Sequence, residues 1–221
     1  HYRPLSAVIF CNTKVCCGEL AVYLQEKGFS ADALHGDLEQ KDRDQVLVRF
    51  ANQSCPILVA TDVAARGLDI KDLQVVINYE LFPKPEVYIH RVGRTGRAGK
   101  KGLALSLYEK REQHKLDVIA KFQGKPLHCE PAEGLLNSPD VTMPSPMTTL
   151  CISGGRKQKI RPGDILGALT GEAEISADNV GKIDIFDFWS YVAVKQDVAN
   201  KALQRLESGR IKGRTFKVKF I

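Results

Sequence analysis

The first 130 residues alternate short apolar runs with amphipathic stretches. Runs rich in β-branched and aromatic residues predict buried strands. They lie at residues 6–11, 30–34, 57–60, 75–78 and 103–107. Uninterrupted apolar strands separated by helical patterns are typical of a parallel sheet covered by helices on both faces. In such a sheet ligands bind outside the carboxyl ends of the strands, so a site is expected in the loops that follow them.

The amphipathic stretches carry signals for helix ends. Gly28 follows the first helical pattern, and glycine is common just after the end of a helix. Asp37, with Gln40 three residues later, predicts a capping box at the start of a second helix. Leu47 and Phe50 continue the buried stripe of that helix. These signals support a regular alternation of strand and helix.

The pattern changes in the last third of the chain. Residues 138–147 contain three prolines among polar residues, which is typical of an extended linker. From 148 to 221 the pattern reads βαββαβ, with helices predicted at 162–169 and 197–206. RNA-recognition domains share this split βαβ order with many unrelated folds. We therefore predict a domain at 1–137, a linker at 138–147 and a smaller domain at 148–221.

Charge is divided unevenly between the two predicted domains. The net charge is +6, and residues 148–221 hold 13 basic and 8 acidic residues, against 19 and 18 in residues 1–147. The basic excess of the smaller domain favours a polyanion as its partner. No apolar run approaches the roughly 20 residues that cross a bilayer, so we predict neither a membrane span nor a membrane partner.

The cysteines and the first residues indicate the kind of protein. None of the six cysteines forms a C-x-x-C pair, which argues against a zinc site, and we predict no metal ligands. Free cysteines in apolar runs are typical of a reduced cytoplasmic protein. The chain opens without Met and without a basic, apolar leader. We interpret it as a piece of a longer protein.

Two loops carry the candidate chemistry. Residues 61–70 directly follow the predicted strand at 57–60, and residues 90–97 (HRVGRTGR) place three arginines at intervals of three among glycines. Such arginines can project along one side of a helical turn and its trailing loop. A guanidinium stays charged and can bind two phosphate oxygens at once. The loops therefore predict a phosphate site, with a solvated basic loop as the alternative.

Four segments resemble successive motifs of the second RecA-like domain of DEAD-box RNA helicases, in the order and spacing of that family. They are VIFCNT at 8–13, LHGDLEQKDR at 34–43, VATDVAARGLDI at 59–70 and HRVGRTGR at 90–97. The resemblance implies a RecA-like α/β domain over 1–137, followed by an RRM-like, ferredoxin-like domain over 148–221.

The resemblance also implies roles for single residues. Arg94 and Arg97 would reach the γ-phosphate of ATP, and His90 would couple two motor domains. Asp69 would accept from the ATP ribose hydroxyl, and Gly67 would let the backbone come close to the nucleotide. The matched positions that would contact the RNA sugar-phosphate backbone are Thr13, Gly36, Arg43, Thr61 and Arg66. The chain contains neither a G-x-x-x-x-G-K-[ST] motif nor an Asp-Glu-Ala-Asp. The Mg²⁺ ligands are therefore expected on a separate N-terminal RecA-like domain, and we expect this chain not to hydrolyse ATP alone.

The smaller domain combines basic residues with a depleted stacking platform. Residues 187–194 (DFWSYVAV) keep aromatics at Trp189 and Tyr191, but Cys151 stands where RNA-recognition domains have a stacking aromatic. Packing in the core is the alternative role for both aromatics. GGRKQKIRPGD at 154–164 and GALTG at 167–171 resemble the C-terminal domain of one bacterial branch of the family. That resemblance implies binding to a hairpin of large-subunit (23S) rRNA and remodelling of nearby duplex during ribosome assembly. The candidate RNA-binding residues of this domain are Arg156, Lys157, Lys159, Arg161, Tyr191, Lys195, Lys212 and Arg214.

Two other functions stay open at this stage. One is a DEAD-box helicase whose tail binds RNA without selecting it. The other is a non-catalytic RNA-binding adaptor that has lost its motor. DNA as the substrate is disfavoured by the resemblance alone.

Overall fold

The computed structural model divides into two compact units. It describes residues 2, 4–65, 73–96, 102–132, 135, 143, 145–171 and 175–221. One unit comprises residues 1–40 and 56–144, and the other comprises residues 41–55 and 145–221. Residues 41–55, which we placed in the first domain, thus cluster by their contacts with the second unit. The domain boundaries stay predictions.

The first unit is built on a five-stranded parallel sheet in the order β2-β3-β1-β4-β5. Its strands are β1 (Ala7–Cys11), β2 (Ala31–Leu34), β3 (Ile57–Thr61), β4 (Val75–Asn78) and β5 (Leu103–Ser106). Each matches a predicted apolar run to within one residue at either end. The central strands β1 and β3 are buried throughout, as expected for a sheet with both faces covered. The predicted α/β fold class is confirmed.

Helices connect these strands. They are α1 (Lys14–Glu26), α2 (Gln40–Ala51), α3 (Asp62–Ala65), α4 (Pro85–Val92) and α5 (Gln113–Gln123). The end of α1 is as predicted, since Gly28 follows it with a left-handed φ of 82°. The predicted capping box is wrong, because α2 begins only at Gln40 and the Asp37 carboxylate pairs with Lys14 at 2.7 Å. No helix in the described ranges is long and apolar enough to cross a membrane.

The second unit contains a four-stranded antiparallel sheet in the order β7-β8-β6-β9. Its elements are β6 (Met147–Ile152), α6 (Pro162–Thr170), β7 (Val180–Ile185), β8 (Ser190–Lys195), α7 (Ala199–Ser208) and β9 (Val218–Phe220). This is the predicted βαββαβ order. Leu150 and Val192 on one face of the sheet share a buried core with Ile165 of α6 and Leu206 of α7. The predicted ferredoxin-like arrangement is confirmed.

The opposite face of this sheet is covered by α2. Cys151 and Tyr191 lie opposite each other on β6 and β8, and Val48 of α2 packs with both. Asn52 Nδ2, just after α2, donates to Thr149 Oγ1 at 2.7 Å. This is the face on which RNA-recognition domains stack bases. In the second unit a helix occupies it.

Candidate functional site

Arg91 lies at the carboxyl edge of the first sheet and is only 2 % exposed. Its Nε and Nη2 donate to the two carboxylate oxygens of Asp62, both at 2.7 Å. Its Nη1 donates to Asn78 Oδ1 at 3.3 Å and to the Glu80 carbonyl at 2.8 Å. Nη2 also donates to Asn12 Oδ1 at 2.8 Å. All five N–H groups of the guanidinium therefore have acceptors.

The register of the parallel strands assembles these acceptors. Cys11 of β1 lies beside Thr61 of β3, and Phe10 lies beside Asn78 of β4. Asn12 and Asp62 are the next residues after β1 and β3, so their side chains reach the same edge. The network fastens α4 to three strand ends. Removing one partner of such a buried charge pair costs about 3–5 kcal/mol, because the other charge stays buried without compensation.

Arg91 does not project along the outer side of the helical turn, which the spacing of three had predicted. It turns inward, with its guanidinium carbon 5.2 Å from the centre of the Phe10 ring. The arginine spacing carries no signal for this difference. The helical period does, because Arg91 lies three residues after Tyr88, the other buried residue of α4. The structural role of Arg91 is thus the functional feature that sequence reasoning missed.

A cavity of about 270 Å³ opens beside this network. His90 is exposed and Arg94 is partly buried. Arg94 brings a second guanidinium to the wall, at the edge of the sheet where ligands are expected. The lining residues are Phe10, Asp62, Ala65, Val87, His90, Arg91 and Arg94.

Several predicted contacts lie outside the described residues. The ATP contacts of Gly67, Asp69 and Arg97 and the RNA contact of Arg66 are among them. These assignments stay predictions.

The remaining predicted RNA contacts of the motor motifs are distributed over both units. Thr13 and Gly36 are exposed in the first unit, and the Lys14–Asp37 ion pair joins their two loops. The hydrogen bond from Lys14 lowers the pKa of Asp37. Two further positions differ in exposure: Thr61 is buried at the end of β3, and Arg43 is partly exposed on α2 in the second unit.

The basic turn after β6, residues 154–161, is held by backbone hydrogen bonds. The Arg156 amide donates to the Phe186 carbonyl at 2.8 Å, and the Lys157 amide donates to the Asp187 carbonyl at 3.0 Å. A Cβ at Gly155 would overlap the Phe186 carbonyl oxygen. Glycine is therefore required here for the close approach of two backbones.

Most of the predicted basic residues of the tail meet at one end of the second sheet. Lys212 Nζ donates to the Lys159 carbonyl at 3.1 Å, which brings the turn at 211–214 beside the basic turn. Lys195 lies opposite Met147 at the other end of the β6–β8 pair. The exposed residues at the shared end are Arg156, Lys157, Lys159, Arg161, Lys212 and Arg214. The structure does not bring Lys195 into this group.

Tyr191, predicted to contact RNA, is 1 % exposed. Its ring packs edge-on against Phe186, with 5.5 Å between the ring centres. Burial raises its pKa to about 12. Trp189 is partly buried, with the Lys41 ammonium 4.0 Å from its ring centre. Tyr191 would have to leave this core before a base could stack on it, so its RNA contact stays a prediction.

Two thiols and a carboxylate also converge at the edge of the first sheet. The ligand atoms of Cys11, Cys16 and Glu80 lie within 4.8 Å of one another. Burial raises the pKa of the Cys11 and Cys16 thiols, so neither is an activated nucleophile. Cysteine spacing could not reveal this group, because Glu80 lies far along the chain.

Comparison with known proteins matches two domain families in order along the chain. Residues 2–99 match the helicase conserved C-terminal domain, and residues 149–220 match the DbpA RNA binding domain. The chain is 50% identical over 220 residues to the ATP-dependent RNA helicase DbpA of Escherichia coli (strain K12), covering 100% of this chain and 48% of that protein. It is 34% identical over 243 residues to the protein of the same name from Bacillus subtilis (strain 168), covering 98% and 49%.

A solved structure is similar to part of the chain. Saccharomyces cerevisiae Dbp5 bound to RNA and ADP BeF3 matches with a TM-score of 0.51 and 38% identity, covering 54% of this chain and 32% of that one. The chain spans about half the length of the curated DbpA relatives it matches. With both domain families matched in order along its length, the chain belongs to the DEAD-box RNA helicase family and is of the DbpA type.

Proposed function

We propose that this chain forms one wall of the ATP site of an RNA helicase and carries its RNA-anchoring domain. The observation that carries the proposal is the cavity beside α4, whose lining includes His90 and Arg94. Arg91 fixes the helix that presents them. Phosphoryl transfer is catalysed mainly by positioning and charge stabilisation, and an arginine that reaches the γ-phosphate contributes about 10³–10⁵ in rate. The matched structure of Dbp5 with RNA and ADP BeF3 supports this role for the fold.

The described part of this wall does not fit Mg²⁺. Asp62 is the carboxylate among the lining residues, and both of its oxygens accept hydrogen bonds from Arg91. The neighbouring guanidinium groups of Arg91 and Arg94 are cationic, whereas Mg²⁺ binds carboxylates and phosphate oxygens. In the proposed enzyme the ligands of Mg²⁺ come from the N-terminal RecA-like domain.

Replacing Arg94 tests the nucleotide site. In the protein that contains both motor domains, Arg94→Ala should lower RNA-stimulated ATP turnover by about 10³ or more, because the transition-state charge loses a partner. RNA binding by the tail should persist. Arg111→Ala is the matched control, since Arg111 is exposed and pairs with Glu109 on the surface. Full turnover by Arg94→Ala would reject the assignment of Arg94 to the nucleotide site, whereas no RNA-stimulated turnover by the unchanged protein would favour a non-catalytic adaptor.

In the first unit, the proposed RNA path uses the exposed loops at Thr13 and Gly36. The exposed Lys14–Asp37 ion pair, at 2.7 Å, connects these loops. A Cβ at Gly36 would meet nothing within 4 Å, so the fold leaves open space there for an RNA backbone. Contacts of this kind position the strand and carry no sequence information. Selection of RNA therefore belongs to the tail.

We propose that the basic turn and its neighbour at 211–214 bind a hairpin of 23S rRNA, and that the motor remodels nearby duplex during ribosome assembly in the cytoplasm. The exposed cations at one end of the second sheet and the match to the DbpA RNA binding domain support this. A tethered binding module raises the local concentration of RNA around a motor that does not read sequence.

Competition binding tests the selectivity of the tail. The chain should bind a large-subunit rRNA hairpin more tightly than a scrambled stem-loop of equal length at the same salt concentration. Equal affinities would reject a specific rRNA hairpin as the target and support the alternative, a tail that binds RNA without selecting it.

A further inference from the structure

Three side chains with metal-binding chemistry meet at the carboxyl edge of the first sheet. Cys11 ends β1, Cys16 lies in the first turn of α1, and Glu80 follows β4. Their sulfur and oxygen ligand atoms all lie within 4.8 Å of one another. We propose that Cys11, Cys16 and Glu80 form a Zn²⁺ site.

The geometry is close to that of a tetrahedral site. With Zn–S distances of about 2.3 Å and Zn–O distances of about 2.0–2.2 Å, tetrahedral ligand atoms stand about 3.5–3.8 Å apart. Since no two of these ligand atoms are more than 4.8 Å apart, the cluster has to contract by no more than about 1 Å to enclose the ion. Cys16 and Glu80 are only partly buried, so their side chains can move, whereas Cys11 is fixed in a buried strand. Three protein ligands leave a fourth position for water.

The surroundings orient these ligands and set them apart from the neighbouring cysteine. The backbone amide of Asn12 donates to Glu80 Oε2 at 2.8 Å. Hydrogen bonds of this kind orient a metal-binding carboxylate. In the described ranges no Lys or Arg side chain forms an ion pair with Glu80. Cys17 turns away, because its thiol donates to the Val59 carbonyl at 3.1 Å. Thiols attract Zn²⁺ more strongly than they attract Mg²⁺ or Ca²⁺.

The site adjoins the Arg91 network. The backbone amide of Asn12 orients the Glu80 carboxylate, and the side-chain oxygen of Asn12 accepts from Arg91. The Glu80 carbonyl accepts from Arg91 as well. A bound ion would therefore stabilise the positions of Asn12 and Glu80, whose oxygens accept from Arg91 of α4, and the turn at Thr13. This inference does not depend on the proposed helicase activity.

Metal titration of the reduced, metal-free 221-residue chain tests the site. Co²⁺ should give a thiolate-to-cobalt charge-transfer band. One Zn²⁺ per chain should displace the Co²⁺ and abolish this band. Cys16→Ser and Glu80→Gln should each weaken Co²⁺ and Zn²⁺ binding at least tenfold. Glu80→Gln keeps the size of the side chain and an oxygen for the Asn12 amide, so its loss of affinity would report the lost charge on the ligand.

The matched control is Cys129→Ser. Cys129 is exposed beside the surface pair of His128 and Glu130. Non-specific binding of Co²⁺ or Zn²⁺ to a thiol would therefore occur at Cys129. This variant should bind as the unchanged chain does. Loss of the band in Cys129→Ser with retention in Cys16→Ser would overturn the proposal, as would no band at all. Circular dichroism of the metal-free variants checks folding, and if Cys16→Ser does not fold, Glu80→Gln decides the question.

Discussion

The two units present positive charge in opposite ways. In the first unit the Arg91 guanidinium is buried and each of its N–H groups has an acceptor. In the second unit the cations of the basic turn are exposed. A buried guanidinium fixes geometry, whereas exposed cations bind a polyanion largely through the release of counterions. The first arrangement suits the positioning of one phosphate group, and the second suits a broad hold on RNA.

The largest expected effect is the loss of the buried charge. Arg91→Ala should lower the free energy of unfolding of the first unit by about 3–5 kcal/mol, because Asp62 would stay partly buried without its partner. Urea unfolding followed by circular dichroism measures the loss, and hydrogen exchange of the α4 amides localises it. Arg111→Ala, at a side chain that is 80% exposed, should change stability by no more than about 0.5 kcal/mol. Similar losses in both variants would remove the contrast between buried and exposed cations.

The basic turn depends on backbone packing. Gly155→Ala should lower the stability of the second unit by about 1–3 kcal/mol, because the new Cβ forces the turn away from the Phe186 carbonyl. The single Trp, Trp189, lies in the adjoining hairpin, so its fluorescence follows the unfolding. Gly163→Ala is the control, since a Cβ there meets nothing within 4 Å. If Gly155→Ala leaves the stability of the second unit unchanged, the turn can move to accommodate the Cβ.

The second unit also contains a buried titratable group, which refines the comparison. The pKa of Tyr191 is raised to about 12 by burial, whereas an unfolded tyrosine ionises near pH 10. Between these values the unfolded state loses a proton that the folded state keeps, so stability should fall as pH rises, by roughly 1–2 kcal/mol. Urea unfolding at pH 9 and pH 11 measures this fall, which Tyr191→Phe should reduce. If Tyr191→Phe instead weakens RNA binding without changing the pH dependence, Tyr191 acts at the RNA surface.

The smallest effect is expected from the exposed cations. Replacing Arg156 and Lys157 together by Ala should reduce the slope of log affinity against log salt for RNA by about 1–2. Stability should hardly change, because the Arg156–Asp187 pair is exposed and 3.6 Å long. Lys195→Ala provides the comparison, since Lys195 lies at the other end of β8. An equal change of slope in Lys195→Ala would mean that RNA covers the whole length of the sheet.

The strands and the order of both folds could be predicted from the sequence. The central strands β1 and β3 are apolar along nearly their whole length, because both faces of the sheet are buried there, and Gly28 marks a helix end through its left-handed φ. The location of the site at the carboxyl edge followed from the same order. These features depend on neighbouring residues or on a general rule of topology, so local patterns were sufficient.

Only the tertiary structure separated Arg91 from Arg94, buried Tyr191 under α2, and brought Glu80 to Cys11 and Cys16. In each case the partners lie on different elements, and strand register or helix packing decides which side chains meet. The sequence by itself determined the two folds and the residue types available for phosphate and RNA. The structure decided which cations are buried as supports and which are exposed for binding, because burial depends on packing between segments far apart in the chain.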